Sequence, residues 1–241
     1  MEIIILAGGR GSRMSEETHS VPKPMVHIHG KPMLWHIMNT YASQGYKNFT
    51  LATGYLSHVI DEWVKCLTED WKVKTLFTGL DTQTGGRIKH CIEASSSERF
   101  FATYGDGLAN VNLNKLLAFH LENEFEASLT AVRPPARFGY VELSGAHVRH
   151  FGEKNQADAG WINGGYFVME RKISRLIEGD HEPFESGALP RLVESGALGG
   201  FKHFGFWQPV DTLREKNDME ILARREVPPW LESLVESTKE T

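Results

Sequence analysis

This 241-residue chain has few cysteines, no long apolar run and no excess of positive charge. Its two cysteines, Cys66 and Cys91, lack CxxC spacing and form no framework, so a disulfide-rich scaffold is excluded and a reducing cytoplasm is expected. No apolar run approaches the ~18 residues that span a membrane. Lysine and arginine total 26 against 31 aspartates and glutamates, and a chain with a formal net charge of -5 lacks the field of a general nucleic-acid binder.

The first 125 residues alternate between strand and helix patterns. The apolar run Glu2–Ala7 ends at a glycine loop and is typical of a strand buried on both faces of a parallel sheet. Further strands are predicted at Asn48–Thr53, Val73–Phe77 and Arg99–Tyr104, with helices at Pro32–Gly45, Leu56–Leu67, Gly86–Ala94 and Asn112–Asn123. This order predicts right-handed βαβ units and an α/β fold with a doubly wound, mostly parallel, Rossmann-like sheet.

After about residue 125 the predicted elements become shorter. The strand candidates are Ala127–Val132, Tyr140–Leu143, His147–Phe151 and Trp161–Met169, and helices fit Arg171–Ile177, Phe184–Ser195 and Thr212–Arg225. No linker rich in proline or serine divides the chain, so we interpret this part as an extension of the same sheet. Residues 1–241 are therefore expected to form a single domain, with residues 226–241 as a C-terminal extension.

The strongest local signal is the glycine loop Leu6-Ala-Gly-Gly-Arg-Gly-Ser-Arg13, followed by Pro22-Lys23-Pro24. Glycines directly after a first strand let backbone N–H groups approach a phosphate chain without interference from a Cβ atom. Arg10 and Arg13 can add charge-assisted hydrogen bonds, and the flanking prolines can direct the Lys23 ammonium toward the same anion. A tight turn beside a solvated lysine is the alternative, but the combination favours a phosphate site.

Two familiar phosphate motifs are absent from this loop. Gly9-x-Gly11-x-x-Met14 lacks the third glycine of the dinucleotide fingerprint, and no GK[ST] follows as it does in a Walker A loop. Nicotinamide enzymes and the common kinase classes therefore lose support.

Two aspartates follow predicted strands. Asp106, in Tyr104-Gly-Asp-Gly107, lies at the carboxyl edge where open α/β sheets bind ligands, and Asp211 lies at a strand-to-helix junction. If they converge, their carboxylates can hold Mg²⁺, which keeps several waters and bridges substrate phosphates. Taken singly, Asp106 can be a turn residue between glycines, and Asp211 is better explained as a helix N-cap than as a metal ligand. Their spacing along the chain does not decide between these interpretations.

These residues resemble those of the sugar-1-phosphate nucleotidyltransferases, and most closely the glucose-1-phosphate cytidylyltransferases. The matching stretches are LAGGRGSR, SEET, PKPMV, GKPMLWHIM, TGYLSHVI, TGGRIKH, YGDG, PPARFG, WINGGYFV and FGFWQPVDTLREK, from Leu6 to Lys216. The glycine signature belongs to the whole superfamily, whereas TGGR, WINGG and FWQPVDT are more specific. The resemblance implies a nucleotide-binding half (about 1–125), an acceptor-binding half with a lid (about 126–225), and Mg²⁺-dependent transfer from CTP to a phosphorylated acceptor, by default α-D-glucose 1-phosphate.

The resemblance also implies roles for particular residues. The nucleotide would meet Leu6, Ala7, Gly8, Gly9, Ser12, Arg13, Lys23, Gly86, Arg87 and Asp106. The acceptor would meet Tyr140, Glu153, Lys154, Asn163 and Gly164. The catalytic set would be Arg13, Lys23, Asp106 and Asp211, with the two aspartates holding Mg²⁺. CTP and the acceptor are the expected partners of a cytoplasmic homo-oligomer that binds neither nucleic acid nor membrane.

Departures from the family pattern fall mainly in the acceptor half. Tyr140 stands where a small residue is usual, Asn155 replaces a proline, and Phe184–Leu189 replaces a segment containing tryptophan and glutamate. Another sugar phosphate or a non-sugar phosphate is therefore an alternative acceptor. A glycosyltransferase would usually carry an Asp-x-Asp motif after a strand. Asp106 is followed by Gly107 and Leu108, so it is not the first residue of such a motif. A non-catalytic nucleotide-sensing subunit would lack one or more residues of the catalytic set. All four of those residues are present, which argues against this class.

Overall fold

The structure is a computed structural model that describes residues 1–11, 20–134, 139–144, 146–153 and 160–232. The strands are β1 (Glu2–Leu6), β2 (His27–Ile28), β3 (Lys31–Pro32), β4 (Asn48–Thr53), β5 (Lys72–Phe77), β6 (Arg99–Tyr104), β7 (Gly107–Ala109), β8 (Ala127–Val132), β9 (Gly139–Ser144), β10 (His147–Glu153), β11 (Ile162–Glu170), β12 (Leu198–Lys202) and β13 (Trp207–Pro209). The α-helices are α1 (Met33–Ala42), α2 (Ser57–Lys65), α3 (Thr84–Glu93), α4 (Leu113–Glu122), α5 (Ala188–Glu194) and α6 (Leu213–Ala223). Within these ranges no helix is long and apolar enough to cross a membrane.

A seven-stranded sheet in the order β12-β8-β11-β6-β1-β4-β5 forms the centre of the fold. Strand β1 pairs in parallel with β4 and β6, β4 pairs in parallel with β5, and β12 pairs in parallel with β8. Strand β11 runs antiparallel to its neighbours in this sheet, β6 and β8. The predicted mostly parallel sheet is confirmed, and strands from both halves of the sequence lie in it.

Two apolar layers cover the sheet because side chains of a strand alternate between its faces. On β1, Ile3 and Ile5 belong to one buried cluster and Ile4 to the other. The first cluster includes residues of α1 and α4 together with Trp230, and the second includes residues of α3 and α5. Trp230, near the end of the described residues, is 1% exposed and so belongs to this core.

Several short elements differ from the prediction. Strand β12 was not expected, because Gly199 and Gly200 interrupt the pattern of a strand. A Cβ atom at Gly199 would lie 2.3 Å from the Phe125 ring, so tight packing explains that glycine. The helix predicted from Phe184 begins at Ala188, and the one predicted at Arg171–Ile177 is a 3₁₀-helix, Arg171–Leu176.

Histidines buried as neutral rings make the stability of the fold depend on pH. Burial lowers the pKa of His36 and of His120, and the Glu170 carboxylate 3.0 Å from His120 Nε2 offsets this in part. The unfolded chain therefore binds more protons once the pH falls through the ordinary histidine value of ~6.5. We expect the free energy of unfolding to decrease as the pH falls from ~7.5 to ~5.5, above the range in which carboxylates titrate.

Urea unfolding of the wild type and of His120→Asn at both pH values measures this effect. The variant is expected to be less stable at the higher pH, because it disturbs the bond between His120 and Ser128. It should also lose less stability on acidification, since one protonation site of the unfolded chain is gone. Equal losses in the two proteins would exclude His120 as a source of the pH dependence.

Candidate functional site

A cavity of about 500 Å³ opens at the edge of the sheet where β1 and β6 end. Its volume lies in the range of small-molecule sites. Of the residues predicted to meet a nucleotide or metal, Leu6, Gly8, Gly9, Lys23, Arg87, Asp106 and Asp211 line it. Ala7 is buried in the core instead, and Ser12 and Arg13 lie outside the described residues.

Lys23 lies between the two aspartates. It begins a short 3₁₀-helix, Lys23–Met25, and its Nζ atom donates to Asp106 Oδ2 at 2.9 Å and to Asp211 Oδ1 at 2.6 Å. Burial alone would lower the pKa of Lys23, but the two carboxylates outweigh it and raise that pKa above its usual value. The lysine is therefore a fixed positive charge inside the cavity.

A small two-stranded sheet brings the two aspartates together. Strand β7 follows Asp106 directly and pairs antiparallel with β13, which ends just before Asp211. The backbone N–H of Val210 also donates to the carbonyl oxygen of Asp106 at 2.8 Å. This pairing places residues from distant parts of the chain on either side of Lys23.

The helix-cap interpretation of Asp211 is wrong. The N-cap of α6 is Thr212, whose side-chain oxygen accepts from the backbone N–H of Glu215. Asp211 lies one residue earlier, and its carboxylate accepts from Lys23. The side chain therefore lines the cavity, where its negative charge can bind a cation.

The donor set at this point fits a divalent metal with oxygen ligands. Asp106 and Asp211 supply carboxylate oxygens, the donors that Mg²⁺ prefers, and substrate phosphates and water commonly complete its shell. Over the ranges given above, no group of three or more histidine, cysteine, aspartate or glutamate side chains is placed to hold a metal ion. The chemistry therefore suits a metal held jointly with substrate better than a metal held by protein alone.

The glycine loop forms another part of the cavity wall. The carbonyl oxygen of Gly8 accepts from the backbone N–H of Tyr55, and a side chain at Gly9 would meet nothing within 4 Å. Gly11 has a φ of 61°, a left-handed conformation that favours glycine. Arg10 pairs with Asp81 at 2.9 Å, and both residues line the cavity and are exposed. The loop thus has the open backbone expected of a phosphate site.

Arg87, on α3, fastens this loop to the sheet. Its Nη1 atom donates to the carbonyl oxygens of Thr53 and Gly79 and to the Thr78 hydroxyl, and its Nη2 atom donates to the carbonyl oxygen of Gly8. A Cβ atom at Gly8 would lie 2.2 Å from Arg87 Nη1. Gly8 therefore makes room for a buried guanidinium that connects the ends of β1, β4 and β5.

Gly86 is not among the described residues that line the cavity. A Cβ atom there would lie 2.7 Å from Asp180 Cα, and one at Gly85 would lie 2.6 Å from the carbonyl oxygen of Glu182. The two glycines of the TGGR segment are thus explained by close packing of residues 180–182 on α3. Contact between Gly86 and a base stays a prediction.

The predicted acceptor residues are described only in part. Asn163 and Gly164 lie near the start of β11, at the same edge of the sheet as the cavity, and Asn163 Nδ2 donates to the Tyr104 hydroxyl at 3.1 Å. Trp207 donates to the carbonyl oxygen of Gly164 at 2.7 Å. Tyr140 and Glu153 lie on β9 and β10, where the side chains are outside the described part, and Lys154 is outside the described residues altogether.

Sequence reasoning missed Tyr104, Thr84 and Glu185. Tyr104 and Thr84 line the cavity, and their hydroxyls donate to the two carboxylate oxygens of Glu185. The only signals were the proximity of Tyr104 to Asp106, the position of Thr84 in TGGR, and the departure of the Glu185 segment from the family pattern. None of these shows that the three side chains meet.

Comparison with known proteins identifies the family to which this site belongs. A family model described as nucleotidyl transferase matches residues 2–214, which include the glycine loop, Lys23 and both aspartates. The chain belongs to the nucleotidyl transferase family. This confirms the resemblance on which the expected enzyme class depends.

Curated relatives of the nucleotidyl transferase match along most of its length. Glucose-1-phosphate cytidylyltransferase of Salmonella typhi is 40% identical over 95% of this chain and 98% of that protein. A probable glucose-1-phosphate cytidylyltransferase of Bacillus subtilis is 37% identical over 92% of this chain and 94% of that protein. A mannose-1-phosphate guanyltransferase of Gibberella zeae is 30% identical over 87% of this chain and 60% of that protein.

Solved structures agree with the fold of this nucleotidyl transferase. HddC from Yersinia pseudotuberculosis has a TM-score of 0.74 and 25% identity, covering 91% of this chain and 98% of that one. The inositol-1-phosphate CTP transferase from T. maritima has a TM-score of 0.70 at 21% identity, covering 98% and 96%, and shows the fold alone. The predicted Rossmann-like fold of nucleotidyltransferase type is confirmed.

Proposed function

We propose that this nucleotidyl transferase transfers the cytidylyl group of CTP to α-D-glucose 1-phosphate, giving CDP-glucose and pyrophosphate. The observation that carries this proposal is the cluster of Lys23, Asp106 and Asp211 at the cavity, in a chain 40% identical to a glucose-1-phosphate cytidylyltransferase over nearly its whole length. The match covers 95% of the chain, so it spans both halves of the sequence.

In the proposed reaction, an oxygen of the acceptor phosphate attacks the α-phosphorus of CTP. The bond from that phosphorus to the bridging oxygen of the β-phosphate breaks, and pyrophosphate leaves with the electron pair. The attacking oxygen is already anionic, so no side chain needs to remove a proton. The protein's task is therefore to bring the two phosphates into line and to offset their negative charge.

Lys23 and the glycine loop are suited to that task. The Lys23 ammonium, buried and fully charged at neutral pH, can offset phosphate charge in a cavity where water screens it little. Backbone N–H groups of residues 8–11 can donate to phosphate oxygens without side-chain interference at Gly9. Asp106 and Asp211 would hold a Mg²⁺ ion, which supplies Lewis-acid polarisation of the phosphoryl oxygens when bound.

Product analysis tests the proposed substrates. With Mg²⁺ and glucose 1-phosphate, CTP is expected to give CDP-glucose, and its kcat/KM should exceed those of UTP, ATP and GTP by more than about 10²-fold. A site that hydrogen-bonds one base leaves its own polar groups unpaired with another, which produces selectivity of this order. Comparable turnover of ATP would contradict the choice of base.

Another phosphorylated acceptor is the second candidate, because Phe184–Leu189 departs from the family pattern. Within this segment, the structure places Phe184 in the core and Glu185 beside the cavity. Phe184 is fully buried and packs edge-to-face on Phe167, with ring centroids 5.7 Å apart, whereas Glu185 binds the cavity residues Thr84 and Tyr104. CTP-dependent release of pyrophosphate with a different sugar or non-sugar phosphate, and none with glucose 1-phosphate, would favour this candidate.

Arg87 is proposed to act on the nucleotide through Gly8, because four of its hydrogen bonds go to protein oxygens. In Arg87→Lys, a single ammonium replaces the guanidinium and faces the same four protein oxygens. Arg87 is only 4% exposed, so water does not readily replace the lost hydrogen bonds. We expect the KM for CTP to rise about tenfold or more with a smaller change in kcat, since binding in the ground state is what the displaced loop weakens.

Arg224→Lys, an exposed change of the same kind at the C-cap of α6, is the matched control and should behave as wild type. The two possible roles of Arg87 differ in base selectivity. If Arg87 positions the loop, its variant weakens CTP and UTP by the same factor, because both triphosphates use the loop. If the variant instead removes the preference for CTP, Arg87 contacts the base and the positioning role is wrong.

A further inference from the structure

Glu185 joins two walls of the cavity although it lies in a connecting segment. Its Oε1 atom accepts from the Tyr104 hydroxyl at 2.5 Å, and its Oε2 atom accepts from the Thr84 hydroxyl at 2.7 Å. Thr84 begins α3, which also carries Arg87, and Tyr104 ends β6 two residues before Asp106. One carboxylate therefore binds a side chain from each of two elements that border the site.

The hydrogen bonds on the Tyr104 side form a directed chain. The backbone N–H of Gly165 donates to Asn163 Oδ1, Asn163 Nδ2 donates to the Tyr104 hydroxyl, and that hydroxyl donates to Glu185. The ring is held by packing as well, since a Cβ atom at Gly165 would lie 2.4 Å from Tyr104 Cδ2. The orientation of the Asn163 amide thus depends on a chain that ends at Glu185.

The Thr84 side is arranged in the same direction. The backbone N–H of Phe184 donates to the Thr84 hydroxyl at 2.8 Å, and that hydroxyl donates to Glu185. The backbone N–H of Gly85 donates to the carbonyl oxygen of Glu182, which holds the start of α3 against the same segment. An ionised carboxylate only accepts, so it can receive both hydroxyl protons at once.

We propose that Glu185 is a positioning residue that sets the nucleotide wall, through Thr84, and the acceptor wall, through Tyr104 and Asn163, in a fixed relation. The assignment of the two walls rests on the proposed function. In-line transfer requires both substrates to be held in register, so a residue that fixes both walls influences the binding of each. Glu185 itself contacts neither reacting phosphate in this proposal.

The expected signature is a rise in two KM values from one substitution. Glu185→Ala should raise the KM for CTP and the KM for the acceptor about tenfold each, the effect of losing a hydrogen bond to a charged group, with kcat changed less. Glu185→Gln keeps the size but offers one acceptor oxygen to two donors, so an intermediate rise is expected. Thr84→Val should affect mainly the KM for CTP, and Tyr104→Phe mainly that for the acceptor.

Steady-state kinetics with each substrate varied in turn, on these four variants and the wild type, test the proposal. Glu93→Ala removes the same charge from an exposed position at the far end of α3 and is the control, expected to leave both KM values unchanged. Circular dichroism verifies that each variant is folded. If Glu185→Ala raises neither KM above the control, or only one of them, the coupling role is wrong.

Calorimetric binding of a non-hydrolysable CTP analogue separates this proposal from the proposed function. That measurement needs no acceptor, so weaker binding by Glu185→Ala and by Thr84→Val supports the nucleotide side even if glucose 1-phosphate is not the substrate. Absence of CDP-glucose with the wild type overturns the acceptor assignment. Unchanged binding of the analogue by Glu185→Ala overturns the role of Glu185.

Discussion

Asp211→Asn is expected to lower kcat by about 10²–10³-fold while the protein stays folded, an effect of the size seen when one preorganised electrostatic group is removed from an active site. The side chain keeps its shape but loses the charge that faces Lys23 at 2.6 Å and that would hold Mg²⁺. Because Thr212, and not Asp211, caps α6, the substitution leaves the helix start intact. Rates of pyrophosphate release at saturating CTP and acceptor measure the effect.

Asp218→Asn is the matched control for this substitution. Asp218 is an exposed carboxylate on the same helix, so its variant removes equal charge and should retain wild-type kcat. Unfolding curves of the two variants show whether stability differs. Turnover by folded Asp211→Asn protein within a few-fold of the control would exclude Asp211 from the catalytic machinery.

The substitution Lys23→Met should lower kcat as strongly as Asp211→Asn does, for a different physical reason. The substitution removes the ammonium that bridges Asp106 and Asp211, so the positive charge between the two carboxylates is lost and they face each other. We expect kcat to fall about 10²–10³-fold because the charge developing on the phosphates is no longer offset. The loss should persist at every Mg²⁺ concentration if the lysine itself is needed.

The same variant reports on the cation site without any turnover. Once Lys23 is absent, Mg²⁺ can compensate the two carboxylates, so it should raise the unfolding temperature of Lys23→Met more than that of the wild type. Adding Asp106→Asn to the variant should abolish this stabilisation. Lys115→Met, at an exposed position on α4, controls for loss of a lysine. Full activity of Lys23→Met would contradict both the electrostatic role and the assignment of this cavity.

Much of the fold follows from local pattern. Asn48–Thr53, Arg99–Tyr104 and Ala127–Val132 were predicted with the bounds that the structure shows, because apolar residues bounded by polar or glycine residues determine strand position locally. Strand β12 was missed because Gly199 and Gly200 interrupt the strand pattern, and the close contact that explains Gly199 is with Phe125, which is distant in sequence. The expectations that residues 1–241 form a single domain and that the protein is a homo-oligomer stay predictions.

The candidate site was likewise predicted in part from the sequence, and the rest became visible only in the structure. The amino-acid sequence alone determined which residue types are available: a glycine loop after the first strand, a lysine between prolines and an aspartate at each of two strand ends. Only the tertiary structure decided that Asp106 and Asp211 share Lys23, that Arg87 binds Gly8, and that Glu185 joins Thr84 to Tyr104. Backbone preference and hydrophobic periodicity act over a few residues, whereas these contacts depend on strand order, which brings distant segments to one edge of the sheet.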